Sequence, residues 1–100
     1  MSIQSGTIDL ANYKEADLYI KRMEFSTLAL QLDEGASVTV KGKHAALDTW
    51  VDLCAISLGT LSKVDSMSGP GAFVVGVNGL DEVKFEVSGS GKIHWKEIGE

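Results

Sequence analysis

Cys54 and the two histidines, His44 and His94, are the residues of this chain that could together support nucleophilic catalysis. That chemistry needs a nucleophile, a base within hydrogen-bond reach and a group that orients the base. Cys54 lies inside a strand-like run, where a lone cysteine reads as a buried small hydrophobe. His44 falls in a loop and His94 on the polar side of the last strand pattern, so nothing in the spacing brings either to Cys54. The chain is therefore expected not to be an enzyme. Metal binding fares no better. The carboxylates Asp33, Glu34, Asp48, Asp52, Asp65, Asp81 and Glu82 lack the Asp-x-Asn-x-Asp-Gly spacing of a calcium loop, and no zinc spacing exists. Asp33-Glu34 and Asp81-Glu82 read as turn residues, and no cofactor or metal is expected, with a structural calcium left open. Trp50 and Trp95 have two readings: partly buried core residues, or an exposed aromatic platform for a sugar. Gly69-Pro70-Gly71 and Gly89-Ser90-Gly91 precede strand patterns rather than helices, so they read as turns and not as phosphate cradles.

Composition narrows the class. A chain of 100 residues suits one domain, read as residues 1–100, with a single core. Hydrophobic residues make up 44 %, enough to exclude disorder. Strand-favouring Val, Ile, Thr, Tyr, Phe and Trp recur along the chain, and 11 glycines supply turns. The net charge of −5 and a longest basic stretch of Lys21-Arg22 argue against nucleic acid as a partner. One cysteine excludes an internal disulfide. No apolar run approaches the ~20 residues of a membrane span, and Met1 to Gly6 lacks the basic and apolar regions of a signal peptide. That short polar segment is expected to be a flexible arm.

The period of the apolar residues gives the elements. Thr7 to Leu10 is a short strand, and Ala16 to Phe25 a longer one with Leu18 and Ile20 on one face and Tyr19, Met23 and Phe25 on the other. Leu28, Leu30 and Leu32 alternate with polar neighbours, as do Val38 and Val40, and with Asp33-Glu34-Gly35 between them the two runs read as a hairpin. Thr49 to Ile56 resumes strand character, with Val51, Leu53 and Ala55 on one face. Phe73, Val75 and Val77, then Val83, Phe85 and Val87, then Ile93 and Trp95 form three further inward sets, separated by Asn78-Gly79 and Ser88-Gly89-Ser90-Gly91. About seven or eight short strands with one wet face each imply an all-β, antiparallel two-sheet sandwich, jelly-roll-like in form. The longest irregular stretches, Lys43–Asp48 and Ser62–Gly71, are either plain connections or contact loops; in the second case Lys43, His44, Asp48, Lys63, Asp65 and Ser68 are the candidate partner-binding residues.

Ser37-Val38-Thr39-Val40-Lys41-Gly42 followed by Thr49-Trp50-Val51-Asp52-Leu53 resembles the V-x-V-x-G … W-x-x-L rhythm of small β-sandwich modules in tailed-phage virions. The run from Gly71 to Gly91 resembles the ending of the same modules, and the likeness spans residues 37–97. The chain departs from them at Lys43-His44-Ala45-Ala46-Leu47-Asp48, where such modules often carry Ser-x-Asp-Gly. The resemblance implies a virion structural protein without catalytic residues. A capsid decoration (cement) protein bound to the major capsid protein lattice, as a dimer or trimer, is the leading expectation. A tail or receptor-binding module, or a carbohydrate-binding domain using Trp50 and Trp95, are the alternatives.

Overall fold

The computed structural model describes residues 4–21, 26–44 and 46–98. Among the described residues eleven strands form two antiparallel sheets: β1 Ser5–Asp9, β2 Tyr19–Lys21, β3 Thr27–Leu32, β4 Ala36–Lys43, β5 Trp50–Asp52, β6 Ala55–Ser57, β7 Lys63–Val64, β8 Met67–Ser68, β9 Gly71–Gly76, β10 Glu82–Gly89 and β11 Lys92–Ile98. A six-stranded sheet runs β1-β11-β3-β9-β6-β7. The facing sheet runs β2-β10-β4-β5, with β8 also paired to β4. The two-sheet antiparallel sandwich expected from the alternation is present. A short 3₁₀ turn, Glu15–Leu18, precedes β2 and is closed by the Lys14 N–H donating to the Asp17 carboxylate at 3.1 Å. Of the longer strand expected over Ala16–Phe25, residues 16–18 belong to the 3₁₀ turn and Tyr19–Lys21 is strand, with Ile20 buried and Tyr19 exposed on opposite faces; residues 22–25, including Met23 and Phe25, lie outside the described residues.

The alternating residues meet between the sheets. Leu28, Leu30, Leu32, Phe73, Val75 and Ile93 from one sheet face Val38, Val40, Val83 and Phe85 from the other, and all are at most 6 % exposed. Removing the side chain of Phe85 from such a core would cost about 3–5 kcal/mol. Met67, in a stretch read as loop, is also buried there. Among the described residues no buried side-chain nitrogen or oxygen lacks a hydrogen-bond partner. Buried Glu97 accepts from the Gln4 N–H at 3.1 Å.

The connections differ from the sequence reading. β3 and β4 are not a hairpin: β3 pairs with β11 and β9, and β4 with β10, β5 and β8. Asp33-Glu34-Gly35 is an arch that carries the chain across the core. The segments at Asn78-Gly79 and Ser88–Gly91 likewise cross between sheets. Alternation says which side chains point inward; it is the same whether the next strand lies beside its predecessor or opposite it. Thr49–Ile56 is not one strand but two, β5 and β6, one in each sheet. The break at Leu53-Cys54 leaves Val51 52 % exposed and Cys54 exposed, so the expectation of a buried cysteine fails. β1 begins at Ser5, so the arm expected over residues 1–6 does not extend over Ser5 and Gly6, which pair with Lys96 and Trp95; residues 1–3 lie outside the described residues.

Two arches meet at one corner. The Asp33 N–H donates to the Lys92 carbonyl at 3.0 Å and the Lys92 N–H to the Asp33 carboxylate at 3.1 Å. The Ser90 N–H donates to the Gly35 carbonyl at 3.0 Å, and the Gly69 N–H to the Ala36 carbonyl at 2.8 Å. Gly89, at φ +95°, sits so close that a Cβ there would overlap the Gly35 carbonyl. Gly79 has a similar φ of +87° but nothing within 4 Å of a Cβ. The pair separates backbone strain from steric fit. Gly79→Ala should cost about 1 kcal/mol, the left-handed penalty alone. Gly89→Ala should cost more than about 3 kcal/mol, read as the urea unfolding midpoint. Equal losses would show that the corner is not tightly closed.

Candidate functional site

Outward-facing residues of the five-stranded sheet form a polar platform around Trp50. Register places Lys43 beside Trp50 and Glu82, and Lys41 beside Asp52 and Lys84. Lys41 Nζ lies 3.1 Å from Asp52 and 3.4 Å from Glu86; Lys43 Nζ lies 3.0 Å from Asp48 and 3.8 Å from Glu82. The Trp50 ring leans over β4 and carries Lys84 Nζ 4.7 Å and Lys43 Nζ 5.8 Å from its centroid, both within cation–π reach. The platform is nearly charge-balanced and cross-braced, which orders the long side chains on a rigid sheet. Among the described residues no group of three His, Cys, Asp or Glu could hold a metal ion.

The two tryptophans belong to different surfaces. Trp95 lies on β11 in the other sheet, facing the core edge with its ring centroid 6.1 Å from that of Phe85. Its indole lies flat on the β1 backbone at Gly6, where a Cβ would come within 2.8 Å of three ring atoms. Both rings are partly buried, and they form no shared platform for a sugar.

The candidate partner residues divide into separate groups. Lys43 and Asp48 join the Trp50 platform, and Asp48 holds a positive φ of 48°. His44 Nδ1 accepts from the Ala46 N–H at 3.1 Å and so shapes the turn before β5; Ala45 lies outside the described residues. Lys63 is on β7 at the edge of the six-stranded sheet, and Ser68 is on β8 against Ser37 of the other sheet. Asp65 accepts from Cys54 Sγ at 3.6 Å. Cys54 thus has an acidic neighbour, while His94 shares a hydrogen bond with Thr7 Oγ1 at 3.1 Å and has Nε2 3.9 Å from Asp33. The structure brings neither histidine to the thiol as a hydrogen-bond partner. Lys41, Lys84 and Glu86 were missed as platform residues because the sequence shows them only as outward positions; their convergence on Trp50 depends on β10, β4 and β5 lying side by side.

Both paired lysines are held above the ordinary lysine value of 10.5, Lys41 mainly by its hydrogen bond to Asp52 and Lys43 mainly by its bond to Asp48. A raised folded-state pKa stabilises the fold below 10.5 and that contribution disappears as pH rises through the folded value. Stability should therefore fall above pH 10.5, and less steeply in a variant with Asp48→Asn and Asp52→Asn. Denaturant midpoints of the two proteins across that range check this; identical slopes would contradict the pairing. Added salt should shrink the difference.

No protein-family model matches the chain, and a sequence comparison with curated proteins finds no match. The fold is similar to that of the SPBc2 prophage-derived protein YomS, at a TM-score of 0.63 and 13 % identity over 96 % of this chain and 92 % of that one. It is also similar to the PBSX exported protein XepA, at a TM-score of 0.71 and 11 % identity over 97 % of this chain. The match spans only 38 % of the XepA chain, so there the same sandwich is one part of a longer protein.

Proposed function

We propose that this protein is a non-enzymatic structural component of a phage virion, a capsid decoration protein that binds the major capsid protein lattice as a homo-oligomer. The observation that carries the reading is the likeness of fold to a prophage-derived protein over nearly the full length of both chains. The resemblance of residues 37–97 to virion β-sandwich modules supports it from the sequence side. The architecture suits the task. A decoration protein needs a rigid body and surfaces, and here apolar side chains fill the core, among the described residues no buried side-chain nitrogen or oxygen lacks a hydrogen-bond partner, and each sheet carries outward-facing side chains. Repeated docking on a lattice lets many weak contacts sum to a stable coat.

The native mass by light scattering, followed by co-sedimentation with undecorated phage shells, tests the proposal. A dimer or trimer that sediments with the shells and raises their melting temperature is the expected result. A monomer that stays in the supernatant and leaves the shells unchanged would overturn it.

A further inference from the structure

The outer face of the six-stranded sheet carries a row that the Trp50 platform does not resemble. Register aligns Lys96 with Ala29, Ala29 with Val74, Val74 with Ile56, and Ile56 with Lys63. Three apolar residues thus lie between two lysines, across five adjacent strands. At ~4.8 Å per strand the two lysines stand roughly 19 Å apart. The neighbouring row dips. Ala72 is flanked by the taller Leu58 and, beyond Gln31, by His94, and the trough holds about 250 Å³. Ile56 and Leu58 are 46 % and 49 % exposed.

The lysines are the informative part. On the other sheet Lys41 and Lys43 each have two carboxylates within 4 Å. Among the described residues Lys63 and Lys96 have none, in a chain of net charge −5. Edge protection explains a lysine on β7. It does not explain Lys96, because β11 is an interior strand between β1 and β3. An apolar strip with an unpaired cation at each end complements an apolar group with a carboxylate on either side.

We infer that this face docks an extended acidic segment of a partner protein, with one large apolar side chain in the Leu58–Ala72 trough and carboxylates meeting Lys63 and Lys96. An extended chain covers the span between the lysines in roughly six residues. The inference stands without the capsid assignment, since it rests on this face alone.

The probe is a synthetic peptide with a central phenylalanine and a glutamate about three residues to either side, titrated into the nitrogen-15-labelled protein. Amide shifts should concentrate at Ala29, Ile56, Ala72 and Val74. The double variant Lys63→Glu, Lys96→Glu should weaken binding at least tenfold, and Lys84→Glu on the opposite sheet should leave it unchanged. Both replaced lysines are exposed, and the variant's own spectrum confirms that it is folded. Equal binding of the glutamine version of the peptide, or shifts elsewhere on the molecule, would overturn the inference. So would concentration-dependent shifts of the same amides in the protein alone, which would make a second copy the occupant.

Discussion

The two arches at the Asp33–Gly35 and Ser88–Gly91 corner hold the sandwich closed. They join β3 to β4 and β10 to β11, so the same few residues fix both strands of the longest pairing in one sheet and their partners in the other. Asp33 acts in two ways there. Its backbone N–H and its carboxylate both bond the backbone of Lys92, and its carbonyl accepts from Ala36 at 3.1 Å. Glycine is required where the second arch passes over the first, because the Gly35 carbonyl occupies the space a Cβ at Gly89 would need. Everything outward-facing inherits its register from this corner. A one-residue slip in β3 would turn Ala29 inward and Leu30 to solvent, exchanging the core for the surface.

That dependence explains which parts of the fold were legible. The inward sets Leu28-Leu30-Leu32, Phe73-Val75-Val77 and Val83-Phe85 were readable because burial demands alternation and the sequence supplies it. Partner choice was not readable. An arch and a hairpin need similar turn residues, and Asp33-Glu34-Gly35 and Asn78-Gly79 serve equally well for either. Thr49–Ile56 misled because its alternation continues through Cys54 while the backbone changes sheet. Met67 was hidden in a stretch dominated by Ser, Gly and Pro, where one buried residue leaves no period to detect.

The candidate surfaces show the same division. Lys43, Asp48 and Lys63 were found because they sit in irregular stretches, yet the structure puts them on opposite sheets with different surroundings. Lys43 is braced by carboxylates; among the described residues Lys63 has none within 4 Å. Such contrasts depend partly on neighbours distant in the chain, since Lys43 meets Glu82 as well as nearby Asp48 and Lys96 lies beside Ala29. Composition could indicate an acidic all-β chain but not that, among the described residues, Lys41 and Lys43 are paired with carboxylates while Lys63 and Lys96 are not. The outward faces of the two sheets therefore carry different chemistry: an ion-paired platform around Trp50 on one, and an apolar strip flanked by Lys63 and Lys96 on the other.

Lysine acetylation footprinting, before and after the protein is mixed with undecorated phage shells, tests that account most directly. The account predicts that Lys63 and Lys96 are modified readily in the free protein and become protected on the shell, while Lys84 keeps its reactivity. An unchanged pattern, or protection confined to Lys41, Lys43 and Lys84, would contradict it.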